Sequence, residues 1–371
     1  MAQTGPIFIH SLFRCASTFF FQKFRALGAD FTCYQEPFNE SLEALNRQAR
    51  HERLLASPDG SGLRHPPLEH PYFYEFWLRR ERLQGLYHRA FAYREYFPGP
   101  TLPAAQCRWI STLIECADGR PILQFCRSAG RAQALRAAYA GVHLHLWREP
   151  RAQWWSYKVS DYFDSASRHI YETASLPAPL EVLARGEAAQ GFRQFPQTPQ
   201  QNYRLFYGLW LDAWLRLMPL VDLSISVDAI ALNAADNQVC ARQLAALIGR
   251  SLDLTDIRPS GMVFTVAESG LYQEVEQEVG ALFVRTGLAD ATQVRSAESA
   301  AEQVRLAYAG RSHDTGAEAN LRQLALELMT QRSGAQRSWP SAVHPQPHKS
   351  RSRWGRAMQW LRQAETRTQA R

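Results

Sequence analysis

The sequence predicts an α/β fold in which a parallel β-sheet is covered by helices on both faces. Five short, apolar, β-rich segments recur along the chain, and segments with helical spacing of apolar residues separate them. Such alternation is typical of βαβ units, whose strands run parallel and are buried on both faces. Ligands of these sheets bind at the carboxyl ends of the strands, so the loops that follow the strands are where functional residues are expected.

Each element is predicted from its local pattern. Phe20, Phe24 and Leu27 recur at helical spacing, Gly28 is placed to end that helix, and Asn39 is placed to cap the next one. Strands are predicted at 6–10, 31–35, 121–126, 142–147 and 223–227. Helices are predicted at 17–27, 39–50, 72–95, 103–117, 128–139, 151–166, 202–218 and 236–248, with a loop at 57–71 and a proline-rich mobile excursion at 175–200.

The charge distribution separates a body from a tail. The formal net charge is +7, but residues 332–371 carry nine Lys and Arg and one acidic side chain, whereas residues 1–331 carry 33 basic and 34 acidic ones. A nearly neutral body argues against a general nucleic-acid binder, which needs a basic surface on its folded part. We therefore expect one α/β domain over 1–331, a basic tail over 332–371, and no nucleic-acid partner.

The tail and the opening residues bear on localisation. In 351–371, Trp354, Met358 and Leu361 share one helical face among arginines, which predicts a short basic amphipathic helix that contacts a membrane surface; a solvated tail is the alternative. The opening residues lack the basic and apolar regions of a signal peptide, and the six cysteines form no CxxC pair. These features predict a cytoplasmic protein with reduced thiols, whose tail could dock at the inner membrane surface.

The loop after the first strand has the features of an anion site. Arg14, Cys15, Ala16, Ser17 and Thr18 lead from the strand into the next helix. The N–H groups of a helix start, with the helix dipole behind them, favour an anion, and two hydroxyls and an arginine add donors. The simpler alternative is that Ser17 caps the helix and Arg14 lies on the surface. The loop has no lysine and no GxxxxGK[ST] pattern, which argues against a P-loop NTP hydrolase.

This loop resembles the 5′-phosphosulfate-binding loop of sulfotransferases that use 3′-phosphoadenosine 5′-phosphosulfate (PAPS). In that family a Lys or Arg precedes a small pair and two hydroxyl residues, and Arg14, Ala16, Ser17 and Thr18 match those positions. Glycine is usual where Ala16 stands, so alanine is expected there only with a negative φ. The resemblance covers about residues 5–261 and implies a P-loop-like parallel sheet of the sulfotransferase type.

A second stretch resembles the 3′-phosphate motif of the same family, in which an Arg closes a strand, a Pro follows soon after, and a Ser stands eight residues beyond the Arg. Arg148, Pro150 and Ser156 reproduce that spacing. Because Arg148 ends a central strand and Ser156 lies two turns into the next helix, both can converge on one phosphate. The alternative is a salt bridge between Arg148 and Glu149 or another neighbour. Asp228 resembles the acidic residue that closes the family's fifth strand.

Glu36 is the expected general base. It follows the second strand, and Pro37 imposes an extended turn that aims it. Carbohydrate-type and many bacterial sulfotransferases carry a Glu-Pro pair here with the Glu as base, whereas small-molecule members place a His after the third strand, where this chain has Arg127. Glu40 is the fallback. The alternative for Glu36 is a structural ion pair with Arg14 or Arg127, which would lower its pKa and make it a poorer base.

Together these residues predict transfer of a sulfuryl group from PAPS to an acceptor hydroxyl on a glycan or glycolipid. Arg14 would offset charge on the leaving phosphate. Arg127 would be a second cation near the sulfuryl group or an acidic acceptor, with a structural salt bridge as the alternative. No metal is expected, and His143 and His145 are expected to be packed in the sheet, because no His/Cys/Asp cluster has ligand spacing. The alternatives are a non-catalytic phosphoadenosine- or glycan-binding module on the same fold and a sulfotransferase of small alcohols. The oligomeric state is left open.

Overall fold

The computed structural model describes residues 5–55, 68–157, 161–189, 198–259 and 269–309. Within these ranges the strands are β1 (Ile7–Ser11), β2 (Phe31–Gln35), β3 (Arg120–Phe125), β4 (Val142–Trp147) and β5 (Leu223–Ser226). They form one sheet in the order β2-β3-β1-β4-β5, and every neighbouring pair is parallel. Each strand lies within one residue of its predicted bounds.

Helices connect these strands. The α-helices of the described ranges are α1 (Ser17–Arg25), α2 (Tyr74–Leu78), α3 (Arg80–Leu83), α4 (Ala104–Glu115), α5 (Ala132–Ala138), α6 (Pro150–Tyr157), α7 (Asp161–Tyr171), α8 (Ala178–Ala189), α9 (Pro199–Leu217), α10 (Val227–Leu232), α11 (Ala234–Ile248), α12 (Ser269–Arg285) and α13 (Ala291–Ala309). Short 3₁₀ helices occur between them. No helix in this part of the chain is both long and apolar enough to cross a bilayer.

Alternate side chains of the strands enter two separate cores. On β1, Ile7 and Ile9 belong to one core and Phe8 to the other. Helices α1, α9, α11 and α12 contribute to the first core, whereas α2 and α4 contribute to the second. A parallel sheet that is buried on both faces needs a helix layer on each, so the predicted architecture is confirmed.

Two helix predictions were wrong because turns interrupt them. The segment 72–95 contains the short helices α2 and α3, which break at Arg79, and a 3₁₀ turn at Arg89–Phe91, and Gly85 turns the chain between them with φ 77°. The segment 39–50 is 3₁₀ helix, although its predicted cap is present, since Asn39 accepts from the Ser41 N–H at 2.9 Å. In both segments local propensity favoured one helix, and packing against the sheet required a tighter path.

The predicted excursion at 175–200 contains the helix α8. Its Leu180 and Leu183 are buried, and both contact α9 at Gly208, where a Cβ atom would stand 2.5 Å from Leu183. These contacts pack α8 against α9 within the predicted domain, and the mobility of the segment stays a prediction. Residues 190–197, most of the loop at 57–71, and the whole tail over 332–371 with its predicted membrane-binding segment lie outside the described residues.

Three histidines are buried in the sheet, as expected for His143 and His145. His10 makes two hydrogen bonds with its ring: its Nδ1 lies 2.7 Å from Ser128 Oγ, and its Nε2 lies 3.0 Å from His143 Nδ1. Burial lowers the pKa of His143 to about 4 and that of His145 to about 3, and it also lowers the pKa of His10. The folded protein therefore holds these side chains neutral at mildly acidic pH, whereas the unfolded chain protonates them.

This burial predicts a loss of stability in mild acid. Between pH 6.5 and 5 the unfolded chain binds protons that folded His143 does not, so the free energy of unfolding should fall as pH falls, by about 2 kcal/mol from His143 alone. Urea unfolding at a series of pH values measures this slope. His143→Phe should flatten it, while the same change at the exposed His88 should leave it as in the parent protein. An unchanged slope in His143→Phe would contradict the assignment.

Candidate functional site

The strand order creates a crevice at the carboxyl edge of the sheet. From β1 the chain leaves toward β2 at one edge, and from β4 it leaves toward β5 at the other. Loops that depart in opposite directions from neighbouring strands open a cleft, which is where ligands of doubly wound sheets bind. The predicted anion loop and the predicted 3′-phosphate motif are the two loops that border this cleft.

The loop after β1 is held in a tight, strained turn. Arg14 has φ 64° and Ala16 has φ 51°, a left-handed conformation that costs a non-glycine residue about 1–2 kcal/mol. The expectation of a negative φ at Ala16 was therefore wrong. A residue in the left-handed conformation turns the chain from β1 into α1, and alanine, which has the smallest side chain after glycine, occupies this position. Gln153 on α6 holds the turn, since its Nε2 donates to Phe13 O at 2.7 Å and contacts Cys15 Sγ at 3.0 Å.

The start of α1, which borders the cleft, has no side-chain cap. Ala16 is the capping residue and makes no side-chain hydrogen bond, so the alternative in which Ser17 caps the helix was wrong. The Ser17 hydroxyl instead lies 3.4 Å from Cys126 Sγ, and Thr18 Oγ1 accepts from Gln35 at 3.2 Å. The first N–H groups of a helix have no intrahelical acceptor and carry its positive dipole end, which suits an anion.

The two predicted anion motifs meet at Arg14. Its Nε donates to Ser156 Oγ at 3.0 Å, and its guanidinium lies 5.4 Å from the centre of the Phe163 ring, so Arg14 is not a surface side chain. Arg148 Nη1 donates to the Arg14 carbonyl at 3.3 Å. Arg14, Arg148 and Ser156 were assigned to one nucleotide from two separate stretches of sequence, and they lie together here.

Arg148 is only 9% exposed, and Asp228 holds one edge of its guanidinium. Arg148 Nε and Nη2 donate to Asp228 Oδ1 at 3.1 and 3.0 Å, and the Glu149 N–H donates to Asp228 Oδ2 at 2.8 Å. The salt-bridge partner is thus Asp228 rather than Glu149. Asp228 does not close β5 as predicted, since it lies in the first turn of α10. The pairing leaves the Nη1 edge of Arg148 directed at the loop after β1.

Glu36 and Glu40 share one buried arginine on the other side of the cleft. Arg127 Nη1 donates to Glu36 at 2.5 Å and its Nη2 donates to Glu40 at 2.8 Å, and the Arg127 side chain is fully buried. Tyr93 and Tyr162 also bond to Arg127 Nη2. A guanidinium with so many protein partners is built to hold the two carboxylates in place, which favours the salt-bridge alternative for Arg127 over contact with the sulfuryl group or an acidic acceptor.

The pKa of Glu36 is raised, mainly because the side chain is removed from water. The Arg127 charge and a hydrogen bond to the Cys126 thiol lower it, but by less than burial raises it. The pairing with Arg127 lowers the pKa as expected, but the same packing that brings Arg127 close also desolvates the carboxylate, so the net shift of the pKa is upward. A carboxylate with a raised pKa is a stronger base once it is ionised.

Cys126 joins the carboxylate side of the cleft to the phosphate-loop side. Its thiol bonds to Glu36 and lies within 3.5 Å of both Ser11 Oγ and Ser17 Oγ. Glu36 itself has φ 56°, so it and the two loop residues are the non-glycine residues with left-handed backbone among those the structure describes. Backbone strain of this kind concentrates at functional sites, where the surrounding structure holds it in place.

Several residues of the site were not found from the sequence. Gln153 lies inside the predicted motif and could have been noticed as an amide facing the loop, and Cys126 ends a strand at the functional edge. Tyr93 and Tyr162 lie in the aromatic-rich stretches 72–97 and 154–163, which are typical of a packed core and could also line an acceptor cleft. Tyr308 is far from the motifs in sequence, and no pattern marks it. Across the described ranges, no group of three or more His, Cys, Asp or Glu side chains is placed to hold a metal ion.

Neither the models of known families nor the curated proteins include a match. Among solved structures, the chain is similar to the crystal structure of a sulfotransferase from Alicyclobacillus acidocaldarius, with 14% sequence identity, a TM-score of 0.34, and coverage of 80% of this chain and 96% of that one. A similarity this low assigns no family, and the fold class rests on the strand order and the two helix layers.

Proposed function

We propose that the protein is a sulfotransferase that moves a sulfuryl group from PAPS to a hydroxyl group. The observation that carries this proposal is the meeting of the two arginine motifs, in which Arg14 contacts Ser156 and Arg148 contacts the Arg14 carbonyl. A nucleotide with phosphates at both its 5′ and 3′ ends needs two neighbouring anion sites, which this arrangement supplies from the loops after two adjacent strands.

The residues at the cleft fit such a ligand. The uncapped start of α1 and Arg14 offer donors for a 5′-phosphosulfate, with Cys15, Ala16, Ser17 and Thr18 forming the turn. Arg148 and Ser156 would hold the 3′-phosphate, Arg148 through the edge that Asp228 does not occupy. Both arginines are already held by side-chain contacts, Arg14 by Ser156 and Arg148 by Asp228, so less side-chain entropy remains to be lost on binding.

When bound, PAPS supplies the sulfuryl group and leaves as 3′-phosphoadenosine 5′-phosphate. Glu36 would accept the proton of the acceptor hydroxyl as the acceptor oxygen forms its bond to sulfur. The bridging S–O bond breaks at the same time, and its electron pair stays on the 5′-phosphate, where Arg14 offsets the added charge. Arg127 would hold Glu36 and Glu40 in position. The acceptor proposed from the Glu-Pro pair is a glycan or glycolipid, and a small alcohol is the second choice.

Binding of 3′-phosphoadenosine 5′-phosphate tests both anion motifs together. Isothermal titration calorimetry should show binding by the parent protein, and Arg14→Ala and Arg148→Ala should each weaken it about 10- to 100-fold, because each removes charge-assisted hydrogen bonds to phosphate. Arg250→Ala is the matched control: its exposed guanidinium pairs with Asp30 just before β2, at the opposite edge of the sheet. Absence of binding by the parent protein would overturn the proposed function.

One observation favours a non-catalytic module that binds phosphoadenosine or a glycan on the same fold. The Glu36 side chain is only 3% exposed, and an acceptor must reach it for proton transfer. The side chain of Glu40 is 28% exposed, which keeps Glu40 as the fallback base. Turnover of labelled PAPS with a panel of glycans, glycolipids and small alcohols separates the two functions, since a binding module transfers no label to any acceptor.

A further inference from the structure

The helices α12 and α13 lie beyond the stretch that resembles sulfotransferases, yet α13 reaches the second anion motif. Tyr308, near the end of α13, donates its hydroxyl to Asp228 Oδ1 at 2.6 Å. The same oxygen accepts Nε and Nη2 of Arg148. We propose that Tyr308 is a positioning residue for the 3′-phosphate, acting through Asp228 on Arg148. This inference rests on the proposed function and assigns a role to a part of the chain for which the sequence predicted none.

The chain of contacts is buried along its length. Tyr308 is 4% exposed and Asp228 is 1% exposed. Water is therefore poorly placed to replace the phenol if it is removed, and a hydrogen bond between a hydroxyl and a carboxylate in such surroundings is among the stronger ones in proteins. The bond fixes the rotation of the Asp228 carboxylate, and the carboxylate in turn decides which edge of Arg148 it occupies.

Asp228 also holds the backbone from which α6 starts. Its Oδ2 accepts the Glu149 N–H at 2.8 Å, and Glu149 Oε2 then accepts the Ala152 N–H at 2.7 Å, as a helix cap does. Ser156, the other residue assigned to the 3′-phosphate, lies on this helix. A change in the orientation of Asp228 therefore reaches both proposed phosphate ligands.

Ion pairs fasten α13 so that Tyr308 is kept at this place. Arg305, three residues before Tyr308 and on the same helix face, lies 3.2 Å from Glu276 of α12 and 3.5 Å from Glu149. Glu276 also pairs with Arg151 of α6 at 2.8 Å. The α12–α13 pair is thus attached to the first turn of α6 next to the Tyr308 contact, and these ion pairs hold the Tyr308 hydroxyl at Asp228.

Removal of the Tyr308 hydroxyl should mainly affect binding of the 3′ end of the nucleotide. Without the Tyr308 hydroxyl, Asp228 keeps the Glu149 N–H on Oδ2 but loses a donor on Oδ1, so the carboxylate, and with it the Nη1 group of Arg148, is held less firmly toward the cleft. Tyr308 acts on the 5′ end only at a further remove, through the Arg148 Nη1 group that donates to the Arg14 carbonyl. Loss of the hydroxyl should therefore weaken binding of a ligand that carries a 3′-phosphate far more than binding of one that lacks it.

Calorimetry with two ligands tests this. For Tyr308→Phe the affinity for 3′-phosphoadenosine 5′-phosphate should fall about 5- to 10-fold, while the affinity for adenosine 5′-phosphate should stay within about twofold of the parent value. Tyr139→Phe is the matched control: it removes a hydroxyl that donates to the Cys107 carbonyl, between α4 and the end of α5, and should change neither affinity. Thermal unfolding of each variant monitors the fold. Tyr308→His, which keeps an N–H donor, should retain more of the preference for the 3′-phosphate than Tyr308→Phe does.

The outcomes separate this inference from the proposed function. If the parent protein does not bind 3′-phosphoadenosine 5′-phosphate, the proposed function fails and this inference fails with it. If the parent protein binds it but Tyr308→Phe loses affinity for both ligands equally, or for neither, Tyr308 has only a structural role and this inference alone is overturned. If Tyr308→Phe does not fold, Tyr308→His decides, and loss of the 3′-phosphate preference in a folded Tyr308→His overturns the inference.

Discussion

Glu36→Gln should abolish sulfuryl transfer while nucleotide binding is retained. Glutamine keeps the shape of the side chain and can still accept from Arg127, but it cannot take the acceptor's proton. General-base catalysis contributes about 10²- to 10⁴-fold, so kcat should fall by that factor. Affinity for 3′-phosphoadenosine 5′-phosphate should stay within about threefold of the parent value, because the two phosphates are assigned to Arg14, Arg148 and Ser156 rather than to Glu36. A coupled assay of labelled PAPS and calorimetry measure the two quantities.

The matched control is Glu75→Gln. Glu75 is also a largely buried carboxylate bound to an arginine, Arg25 at 2.6 Å, but its partner ends α1 on the side of the sheet away from the cleft. Full turnover is expected for this variant. If Glu36→Gln keeps full activity, the base is another group, and Glu40→Gln then tests the fallback.

The pH profile gives a second test of the same assignment. Because burial raises the pKa of Glu36, the carboxylate becomes protonated at a higher pH than a free glutamate. Since only the ionised form accepts a proton, kcat/KM should fall as pH falls through this raised pKa. An acid limb at or below the pKa of a free glutamate would contradict the role of Glu36.

Arg127→Met should destabilise the protein by about 3–5 kcal/mol, which is a large part of the stability of an ordinary domain. Methionine fills much of the space between the Phe13 and Tyr93 rings, whose centres lie 4.8 and 5.3 Å from the guanidinium carbon. It leaves Glu36 and Glu40 without their cation, and a buried carboxylate without a partner is costly. Urea unfolding measures the loss. Arg185→Met removes the exposed partner of Glu181 and should change stability by no more than about 0.5 kcal/mol.

The loss of folding stability in Arg127→Met should become larger as the pH rises. Arg127 lowers the pKa of Glu36, so its removal raises that pKa further above the value in the unfolded chain. Above the unfolded pKa the unfolded chain releases a proton that the folded variant keeps, so stability falls as pH rises through this window. A deficit that is constant from pH 5 to 8 would show that lost packing rather than lost charge compensation explains the effect.

The sequence alone determined the sheet and the location of the cleft. Strand positions followed from short β-rich apolar segments, because the period of buried strands is a local property of the chain. The residues at the strand ends followed in turn, since parallel strands place their carboxyl ends at one edge. For this reason Arg14, Arg148 and Glu36 could be assigned to one edge before any coordinates were known, and the structure places them there.

Only the tertiary structure decided which of these residues contact one another and in which direction the pKa of Glu36 shifts. The partner of Arg148 is Asp228, 80 residues away, and the hydroxyl that fixes Asp228 comes from Tyr308. The direction of the Glu36 pKa shift depended on how deeply the side chain is buried, and the sign of φ at Ala16 depended on the turn that the sheet imposes. Contact partners, desolvation and backbone strain are set by segments that are distant along the chain, so no local pattern of residues could have determined them.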